Sequence, residues 1–262
     1  MKEQVAAPER RNGILDLIEQ RGFARVGDLA TAFDVSAVTV RGDLSALEAE
    51  GRVRRVHGGA VPASEPAQRE PSFEESLEAA VDARQQIART AAHLVTSGQS
   101  VILDVSATAH AIARALRTRD DLHDVTIVTN GLSIALELET AIPRFTVVVT
   151  GGTLRPLQHS LVDPLAEEIL ERLAVDIAFI GCNGVDAHGG VTNINLPEAA
   201  VKRRMLARAG RAFVIADAGK LGRTHLGVIG PLSAFDGLIT DNGADAAQLA
   251  ELAAAGLMSV VE

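Results

Sequence analysis

The sequence predicts two domains of different fold class: a winged helix-turn-helix over residues 1–61 and a Rossmann-like, open α/β domain over residues 73–262. Three observations support this prediction. Helical patterns fill most of the chain before residue 51. Residues 62–72, PASEPAQREPS, have the proline-rich and polar composition of a linker. After this linker, helical stretches alternate with short β-branched runs, which is typical of doubly wound α/β domains.

Composition restricts the class of protein further. Apolar residues make up 47% of the chain, which indicates a globular fold. The single cysteine, Cys182, excludes an internal disulfide and any multi-cysteine metal module, and we predict no cofactor and no metal. The N-terminus is charged, and no apolar run is long enough to cross a bilayer. We therefore expect a cytoplasmic protein without a membrane partner.

The net charge of −9 is unevenly distributed along the chain. Residues 1–62 contain nine basic and nine acidic residues, whereas residues 63–262 contain 16 basic and 25 acidic residues. The acidic excess therefore belongs to the second domain. The N-terminal domain can still present a local basic face to an anionic partner such as nucleic acid.

Three helical segments occur before residue 51, and their apolar residues recur at helical spacing. The inward faces consist of Ile14, Leu17 and Ile18 in the first segment, of Val26, Leu29, Ala30 and Phe33 in the second, and of Val40, Leu44 and Leu47 in the third. Asp34 and Val35 form the turn before the third segment, and Ser36 is a suitable N-cap for it. This order of elements predicts a helix-turn-helix.

The outward face of the third helix and the segment after it carry the candidate DNA contacts. In a helix-turn-helix the second helix enters the major groove, where its outward side chains meet base edges and phosphates. The basic segment RVRRVHGGA, which follows Gly51, predicts a β-wing that contacts phosphates. The candidate DNA-binding residues are Ser36, Val38, Thr39, Arg41, Ser45, Arg52, Arg54, Arg55 and His57. The alternative is a helical interaction module with a solvated arginine cluster.

Residues 35–60, VSAVTVRGDLSALEAEGRVRRVHGGA, closely resemble the signature of DeoR-type regulators. That signature is VS, then T-[IV]-R-x-D-L, a short helix, G, and R-x-H-G-G-A, and the spacing is matched as well as the residues. The resemblance implies that the partner is a double-stranded DNA operator. One departure is Gly42, where many members carry a second Arg. Glycine forfeits that contact and costs about 1 kcal/mol of helix propensity.

The second domain reads as a series of buried strands and helices. Its β-branched runs are uninterrupted, as expected for strands of a parallel sheet that is covered on both faces. The runs are VILDV, TIVT, FTVVVT, DIAFIG, AFVIAD, GLITD and LMSVV. Helices are predicted between them over residues 108–116, 132–139, 164–173, 197–209 and 245–254.

Five of the predicted strands are followed by polar or glycine-rich loops. Open α/β sheets bind ligands at the carboxyl ends of their strands, and glycine loops before helices offer N–H donors to anions. Each loop alone is weak evidence, but five together favour a ligand cleft. The loops contain residues 104–108, 130–131, 151–155, 183–186 and 219–220.

The resemblance to DeoR-type regulators continues through this domain. It implies an effector domain similar to ribose-5-phosphate isomerase, CoA transferases and glucosamine-6-phosphate deaminase, and a sugar phosphate or related metabolite as effector. The candidate effector-binding residues are Asp104, Ser106, Thr108, Asn130, Gly152, Arg155, Glu198, Lys202 and Lys220. The alternative for Glu198 and Lys202, which are four residues apart, is a simple ion pair on a helix surface.

Several residues depart from the family pattern inside the candidate site. The usual D-S-G-T-T loop reads DVSAT, with Ser106 for Gly and Ala107 for Thr, and Gly219 replaces the usual Ser. Asp163 stands where glycine is common. Two hypotheses explain Asp163: either it repels the phosphate of an effector, or it caps the helix predicted to begin at Pro164.

Together these patterns predict a transcriptional regulator and not an enzyme, namely a repressor of carbohydrate-metabolism genes that a sugar phosphate modulates. One winged helix buries little surface, so we expect at least a dimer on paired half-sites. A second hypothesis is an isomerase or deaminase that carries a DNA-binding appendage, with Asp104, His110, Glu198 and Lys202 as acid–base groups. Their spacing matches no recognisable catalytic constellation. A third is an architectural DNA-binding protein whose α/β domain only oligomerises.

Overall fold

The computed structural model describes residues 7–21, 24–56, 59–62 and 70–260. The chain divides into two compact units, Met1–Arg69 and Glu70–Glu262. In the segment that we predicted as a linker, residues 62–72, Pro62 is the last residue of a strand and Ser72 is the N-cap of a helix, and residues 63–69 lie outside the described residues. Among the described residues, no helix has both the length and the apolar character needed to cross a membrane.

The first unit is a three-helix domain with a small antiparallel sheet. Its elements are α1 (Ala7–Arg21), β1 (Ala24–Arg25), α2 (Val26–Ala32), α3 (Ala37–Ala49), β2 (Val53–Val56) and β3 (Gly59–Pro62). Strands β2 and β3 pair from Val53 opposite Pro62 to Val56 opposite Gly59, and β1 pairs with the other edge of β3. The predicted winged helix-turn-helix is confirmed.

The core of this unit comes from the helical spacing of its apolar residues. Each of the three helices contributes side chains that are almost completely buried, among them Ile14, Ile18, Leu29, Val40, Leu44 and Leu47. Ser36 accepts a hydrogen bond from Thr39 N at 3.1 Å and so caps α3, as predicted. The inward face of α3 is therefore fixed, which leaves the opposite face of the helix to solvent.

The second unit is an α/β domain. Its elements are α4 (Phe73–Glu78), α5 (Val81–His93), β4 (Ser100–Leu103), α6 (Ala107–Arg117), β5 (Val125–Thr129), α7 (Leu132–Leu138), β6 (Phe145–Val149), β7 (Thr153–Arg155), β8 (Ser160–Val162), α8 (Leu165–Glu171), β9 (Val175–Gly181), β10 (Gly184–Asp186), β11 (Gly190–Asn193), α9 (Leu196–Arg208), β12 (Ala209–Ile215), β13 (Gly227–Gly230), β14 (Gly237–Ile239), α10 (Ala246–Ala254) and β15 (Ser259–Val260).

Seven strands form one parallel sheet in the order β15-β14-β12-β9-β4-β5-β6. The first three strands along the chain run outward in one direction from β4, and the next four run outward in the other direction from β9. This is the doubly wound arrangement, and its switch point lies between β4 and β9. The predicted Rossmann-like α/β class is confirmed.

Apolar layers cover both faces of this sheet. Helices α5, α6 and α7 pack on one face, and α8, α9 and α10 pack on the other. Successive residues of each strand face opposite layers: in β4, Val101 and Leu103 face the first layer and Ile102 faces the second. Because both faces are buried, the strands need continuous apolar runs rather than alternating ones.

The sequence did not predict several elements of this unit. These are the helices α4 and α5, the hairpin of β7 and β8, and a three-stranded antiparallel sheet in the order β10-β11-β13. The strands among them have only three or four residues, and their pairing partners are not all adjacent in sequence. The five predicted helices are present, with ends displaced by no more than a few residues.

Candidate functional site

The switch point of the parallel sheet brings two loops together. Asp104 directly follows β4, and Gly181 ends the neighbouring strand β9. Ser106 accepts a hydrogen bond from Ala109 N at 3.0 Å, which caps α6, and its hydroxyl donates to Asp104 Oδ1 at 3.0 Å. A Cβ atom on Gly181 would lie 2.6 Å from Ser106 Oγ. The loops therefore meet at this distance only because residue 181 has no side chain.

Lys202 and Asp104 form a buried ion pair at this point. Lys202 reaches in from α9, and its Nζ lies 2.8 Å from Asp104 Oδ2. The ammonium also donates to Gly181 O at 2.9 Å and to Asn193 Oδ1 at 3.4 Å. The side chain of Lys202 is 3% exposed and that of Asp104 is 0% exposed. Asp104 Oδ2 faces the ammonium of Lys202 and accepts from no other group among the described residues.

The charge of Lys202 is maintained by its neighbours. Burial alone would lower the pKa of this ammonium, but the carboxylates of Asp104 and Glu198 more than compensate and hold the pKa above its usual value. Lys202 is therefore protonated at neutral pH. Since a buried charge is costly without its partner, the pair depends on both members.

Glu198 lies one helical turn before Lys202 and makes a second charged contact. Its Oε1 accepts hydrogen bonds from Arg155 Nη1 at 2.8 Å and from Ser160 Oγ at 2.7 Å. Arg155, the last residue of β7, also pairs with Glu70. Glu198 and Lys202 are both almost completely buried. The alternative of a helix-surface ion pair between them is therefore wrong, because each pairs with a residue from another element.

Three more candidate residues lie in or beside the loops of this site, namely Asn130, Gly152 and Thr108. Asn130 Oδ1 accepts from Val105 N at 2.9 Å and its Nδ2 donates to Leu161 O at 3.1 Å, so this amide joins the loop after β4 to β8. Gly152 has a φ of +121°, and a Cβ atom there would lie 2.6 Å from a backbone oxygen. Thr108 is buried in the first turn of α6. Asn130 and Gly152 thus fix the shape of the loops in this structure.

Lys220 stands apart from the other candidate residues. Its side chain is 27% exposed, and its Nζ lies 3.5 Å from Asp217 Oδ2. It is connected to the cluster through Cys182: burial raises the pKa of this thiol to about 11, and the charges of Lys220 and Lys202 oppose the rise. Lys220 is thus within electrostatic reach of the cluster without a contact to it.

Asp163 does not cap the helix that follows it. Helix α8 begins at Leu165, and its N-cap residue, Pro164, has no side-chain capping bond. That hypothesis is therefore wrong. Asp163 is exposed and has a φ of +49°, a conformation that glycine adopts without strain. The backbone conformation explains why a glycine is common at this place.

The outward face of α3 is open. Val38 is 74% exposed, and Arg41, Gly42 and Ser45 are exposed as well. A Cβ atom on Gly42 would meet nothing within 4 Å. Ser36 and Thr39 hydroxyls lie 2.9 Å apart at the start of the helix. This face has the position and the exposure that groove contacts require.

The candidate residues of the wing are described only in part. Arg52 precedes β2 and donates a hydrogen bond to Asn12 Oδ1 at 3.4 Å. Arg54 and Arg55 belong to β2. His57 lies outside the described residues.

Asp43 is a charged residue of α3 whose role the sequence did not reveal. It is 3% exposed, and its carboxylate accepts from Arg10 Nε at 2.7 Å and from Arg11 Nε at 3.0 Å. Burial would raise the pKa of Asp43, but the two guanidinium groups outweigh burial and hold the pKa below its usual value. This triad fixes α1 against α3. A carboxylate beside Val40 and Leu44 was the signal that could have indicated a buried partner.

Two histidines considered in the sequence lie beside the candidate site. His110 packs edge-on against Phe73 with ring centres 5.6 Å apart, and its Nε2 lies 3.5 Å from Glu137 Oε2. Burial lowers the pKa of His110, and the nearby Glu137 opposes this. His159 Nδ1 lies 2.8 Å from Ser133 Oγ. Neither histidine contacts the buried Asp104, Lys202 or Glu198.

Two family models match this chain. The DeoR-like helix-turn-helix domain matches residues 10–65, and the DeoR C terminal sensor domain matches residues 79–242. Together they cover the winged helix and most of the α/β unit.

Curated relatives match over nearly the whole chain. The HTH-type transcriptional regulator YulB of Bacillus subtilis is 36% identical, over 93% of this chain and 92% of the relative. The HTH-type transcriptional regulator GolR of Listeria innocua is 33% identical, over 95% of this chain and 96% of the relative. The glycerol-3-phosphate regulon repressor of Escherichia coli is 27% identical, over 89% of this chain and 90% of the relative.

The likeness to solved structures is weaker. A ribose 5-phosphate isomerase A from Methanocaldococcus jannaschii matches with a TM-score of 0.40 at 19% identity, over 53% of this chain and 54% of that chain. This likeness is too weak to decide fold or activity. The curated relatives are regulators and repressors, and this chain is a regulator rather than an enzyme. The chain belongs to the DeoR family of DNA-binding transcriptional regulators, with a helix-turn-helix domain and a C-terminal sensor domain.

Proposed function

We propose that this regulator represses carbohydrate-metabolism genes by binding a double-stranded DNA operator, and that a sugar phosphate or related metabolite releases it. The observation that carries the proposal is the buried cluster of Asp104, Lys202, Glu198 and Arg155 beside the switch point of a sensor domain. Buried charges are costly for stability, and they are retained most readily where a polar ligand binds. One relative bears the name of a glycerol-3-phosphate regulon repressor, which supports repression of genes that serve a phosphorylated metabolite.

On the DNA side, the open face of α3 supports groove binding. Val38, Thr39 and Ser45 would meet base edges, and Ser36 at the start of α3 would approach the backbone. Arg41, Arg52, Arg54, Arg55 and His57 would contact phosphates. Because phosphate contacts are independent of sequence, replacing Arg41 by Ala should weaken binding to all DNA alike and reduce the salt dependence of binding by about one unit.

On the effector side, the cluster divides into groups that accept and groups that donate. The carboxylate of Asp104, which already faces Lys202 and Ser106, would accept a further hydrogen bond from a sugar hydroxyl. Arg155 and Lys220 would supply positive charge for a phosphate. Gly152, whose position is crowded by the backbone oxygens of Val162 and Asp163, would keep the loop before Arg155 in its present shape. Ser106, Thr108, Asn130 and Glu198 would hold these groups in position.

We also propose that the protein acts in the cytoplasm as at least a dimer and without a membrane partner. A winged helix of this size covers one half-site, and two half-sites are needed for operator specificity at physiological salt. Sedimentation of the full chain at micromolar concentration should show a dimer or a larger species. A monomer at that concentration would contradict this part of the proposal.

The central experiment measures DNA release. An operator is first selected from random duplex DNA with the full chain, and binding is then followed by fluorescence anisotropy while individual sugar phosphates and free sugars are added. We expect one class of sugar phosphate to lower the affinity at least tenfold, with no release by the matching free sugar. If no sugar or sugar phosphate changes DNA affinity, the effector proposal fails. That result would favour an architectural DNA-binding protein whose α/β domain only oligomerises.

A further inference from the structure

The first residues of the second unit, 70–78, form a segment that we name the strap. The strap begins at Glu70, directly after the part of the chain that joins the two units, and ends with α4. Its Glu70 pairs with Arg155, and Gln158 Nε2 donates to the carbonyl of Pro71. The strap therefore contacts the β7–β8 region, from which Arg155 enters the candidate effector site.

Arg155 is shared between two carboxylates. Its Nη1 lies 2.9 Å from Glu70 Oε1 and 2.8 Å from Glu198 Oε1, and its Nη2 donates to Glu70 Oε2. The side chains are 10% exposed for Glu70 and 4% exposed for Glu198. Glu70 makes the two-pronged contact that guanidinium groups form with carboxylates and phosphates alike. A carboxylate of the chain thus occupies the place that an anionic ligand would take.

The arrangement holds Glu70 under opposing influences. Burial and the neighbouring Glu198 raise the pKa of Glu70, while Arg155 opposes the rise. A third anion at Arg155 would meet two carboxylates at close range. It can bind strongly only if one of them leaves, and Glu198 is held by Ser160 as well as by Arg155. Among the described contacts, both side-chain hydrogen bonds of Glu70 come from Arg155, so Glu70 has no second partner residue.

The far end of the strap is fixed independently of this pair. Arg84 of α5 donates to the carbonyls of Ser76 and Leu77, and Phe73 packs between His110 and His159. Loss of the Glu70 contact would therefore free Glu70 and leave α4 attached, with the Gln158 hydrogen bond to the carbonyl of Pro71 still holding the next residue. The freed part is the part that continues toward the DNA-binding unit.

We propose that Glu70 is an internal competitor of the effector: the anionic group of the ligand takes Arg155 from Glu70 and so releases the beginning of the strap. This inference rests on the proposed function, since it places the ligand's anion at Arg155. It adds a way for ligand binding at the sensor site to change the chain segment that leads to the DNA-binding unit. A ligand can shift such an equilibrium only by binding one state better than the other, and competition for one guanidinium supplies that difference.

The test uses the full chain, inorganic phosphate as the probe, and the variant Glu70→Gln. The matched control is Glu78→Gln, which removes the same charge from an exposed residue at the end of α4. Phosphate affinity is measured by calorimetry, and hydrogen exchange is followed in peptides that cover residues 70–78, with and without phosphate. We expect Glu70→Gln to bind phosphate about tenfold more tightly than the parent, and Glu78→Gln to match the parent.

Hydrogen exchange then reports the release of the strap. In the parent, phosphate should raise exchange at the amides of residues 70 and 72, the two in that stretch that carry an amide hydrogen, and leave residues 76–78 unchanged. The variant Glu70→Gln should show the raised exchange without phosphate. Equal phosphate affinity of Glu70→Gln and parent, or unchanged exchange at residues 70–72 on binding, overturns the inference. Operator binding in the same samples separates the two proposals. If sugar phosphates release the parent from DNA while either overturning result is found, the inference alone fails; if neither protein binds phosphate and no sugar phosphate releases DNA, both fail.

Discussion

Replacing Lys202 by Met should strongly destabilise the second unit. The substitution keeps the volume of the side chain but removes the ammonium that lies 2.8 Å from Asp104 Oδ2. Asp104 is completely buried, so it would be left as an uncompensated charge in the interior. Breaking a buried ion pair by removing one partner costs about 3–5 kcal/mol. Because domains are stable by only about 5–15 kcal/mol, this loss is a large part of the total.

The control lies on the same helix. Arg204 of α9 pairs with Glu167 and Glu171 at the surface, and its side chain is 48% exposed. Exposed pairs contribute about 1 kcal/mol or less, so Arg204→Met should cost no more than that. The two substitutions differ chiefly in burial, which makes the comparison a direct test of the cost of an unpaired interior charge.

The assay is urea unfolding followed by circular dichroism, since the chain contains neither Trp nor Tyr for intrinsic fluorescence. The transitions of the two units are fitted separately, because a two-domain chain need not unfold in one step. The double variant Asp104→Asn/Lys202→Met should lose less stability than the two single variants together, by roughly 1–3 kcal/mol. A loss for Lys202→Met as small as that for Arg204→Met would refute the reasoning, as would strict additivity in the double variant.

Three further predictions concern single residues. Gly42→Arg should raise affinity for any duplex DNA and increase the salt dependence of binding by about one unit, because the site is open and the new charge would face the groove. Fluorescence anisotropy at several salt concentrations tests this, with Gly42→Ala as the uncharged control. Asp163→Gly should leave stability unchanged or raise it by up to about 1 kcal/mol in urea unfolding, since it relieves a positive φ. A clear loss of stability would contradict this reasoning. Asp43 has a pKa below its usual value in the folded state, so its contribution to stability is present above the unfolded pKa of about 4 and is lost as the pH falls through the folded value. Asp43→Asn should therefore flatten the loss of stability of the first unit at acid pH. An unchanged dependence of stability on pH would contradict the pairing with Arg10 and Arg11.

The sequence alone predicted the elements whose signals are local. The apolar spacing around Leu44 and the cap at Ser36 are contained within a few residues, and so are the strand runs that precede Asp104 and Asn130. The positions of those two residues at strand ends were enough to place them at one edge of the sheet, because parallel strands end at the same edge. Their binding of an effector stays a prediction.

What the sequence did not reveal depends on contacts between distant residues. Asp43 and Arg10 are 33 positions apart, and Arg155 and Glu70 are 85 apart. Local pattern cannot select such partners from the other charges of the chain. Glu70 was assigned to a linker because prolines surround it, and composition carries no information about a guanidinium that folds back to it. The meeting of β4 with β9 likewise required the strand order, which periodicity does not contain.

The exposed side chain of Val38 has a consequence for the kind of operator that this protein can select. On the proposed groove side of α3, a branched hydrocarbon can neither donate nor accept a hydrogen bond. At its base pair Val38 would therefore be indifferent to the donor and acceptor pattern that distinguishes most bases. The hydrocarbon feature of the major groove is the C5 methyl group of thymine, and Val38 is suited to pack against it. Thymine methyl groups would thus contribute to recognition of the operator, and DNA that carries the same hydrogen-bonding pattern without these methyl groups would bind less tightly.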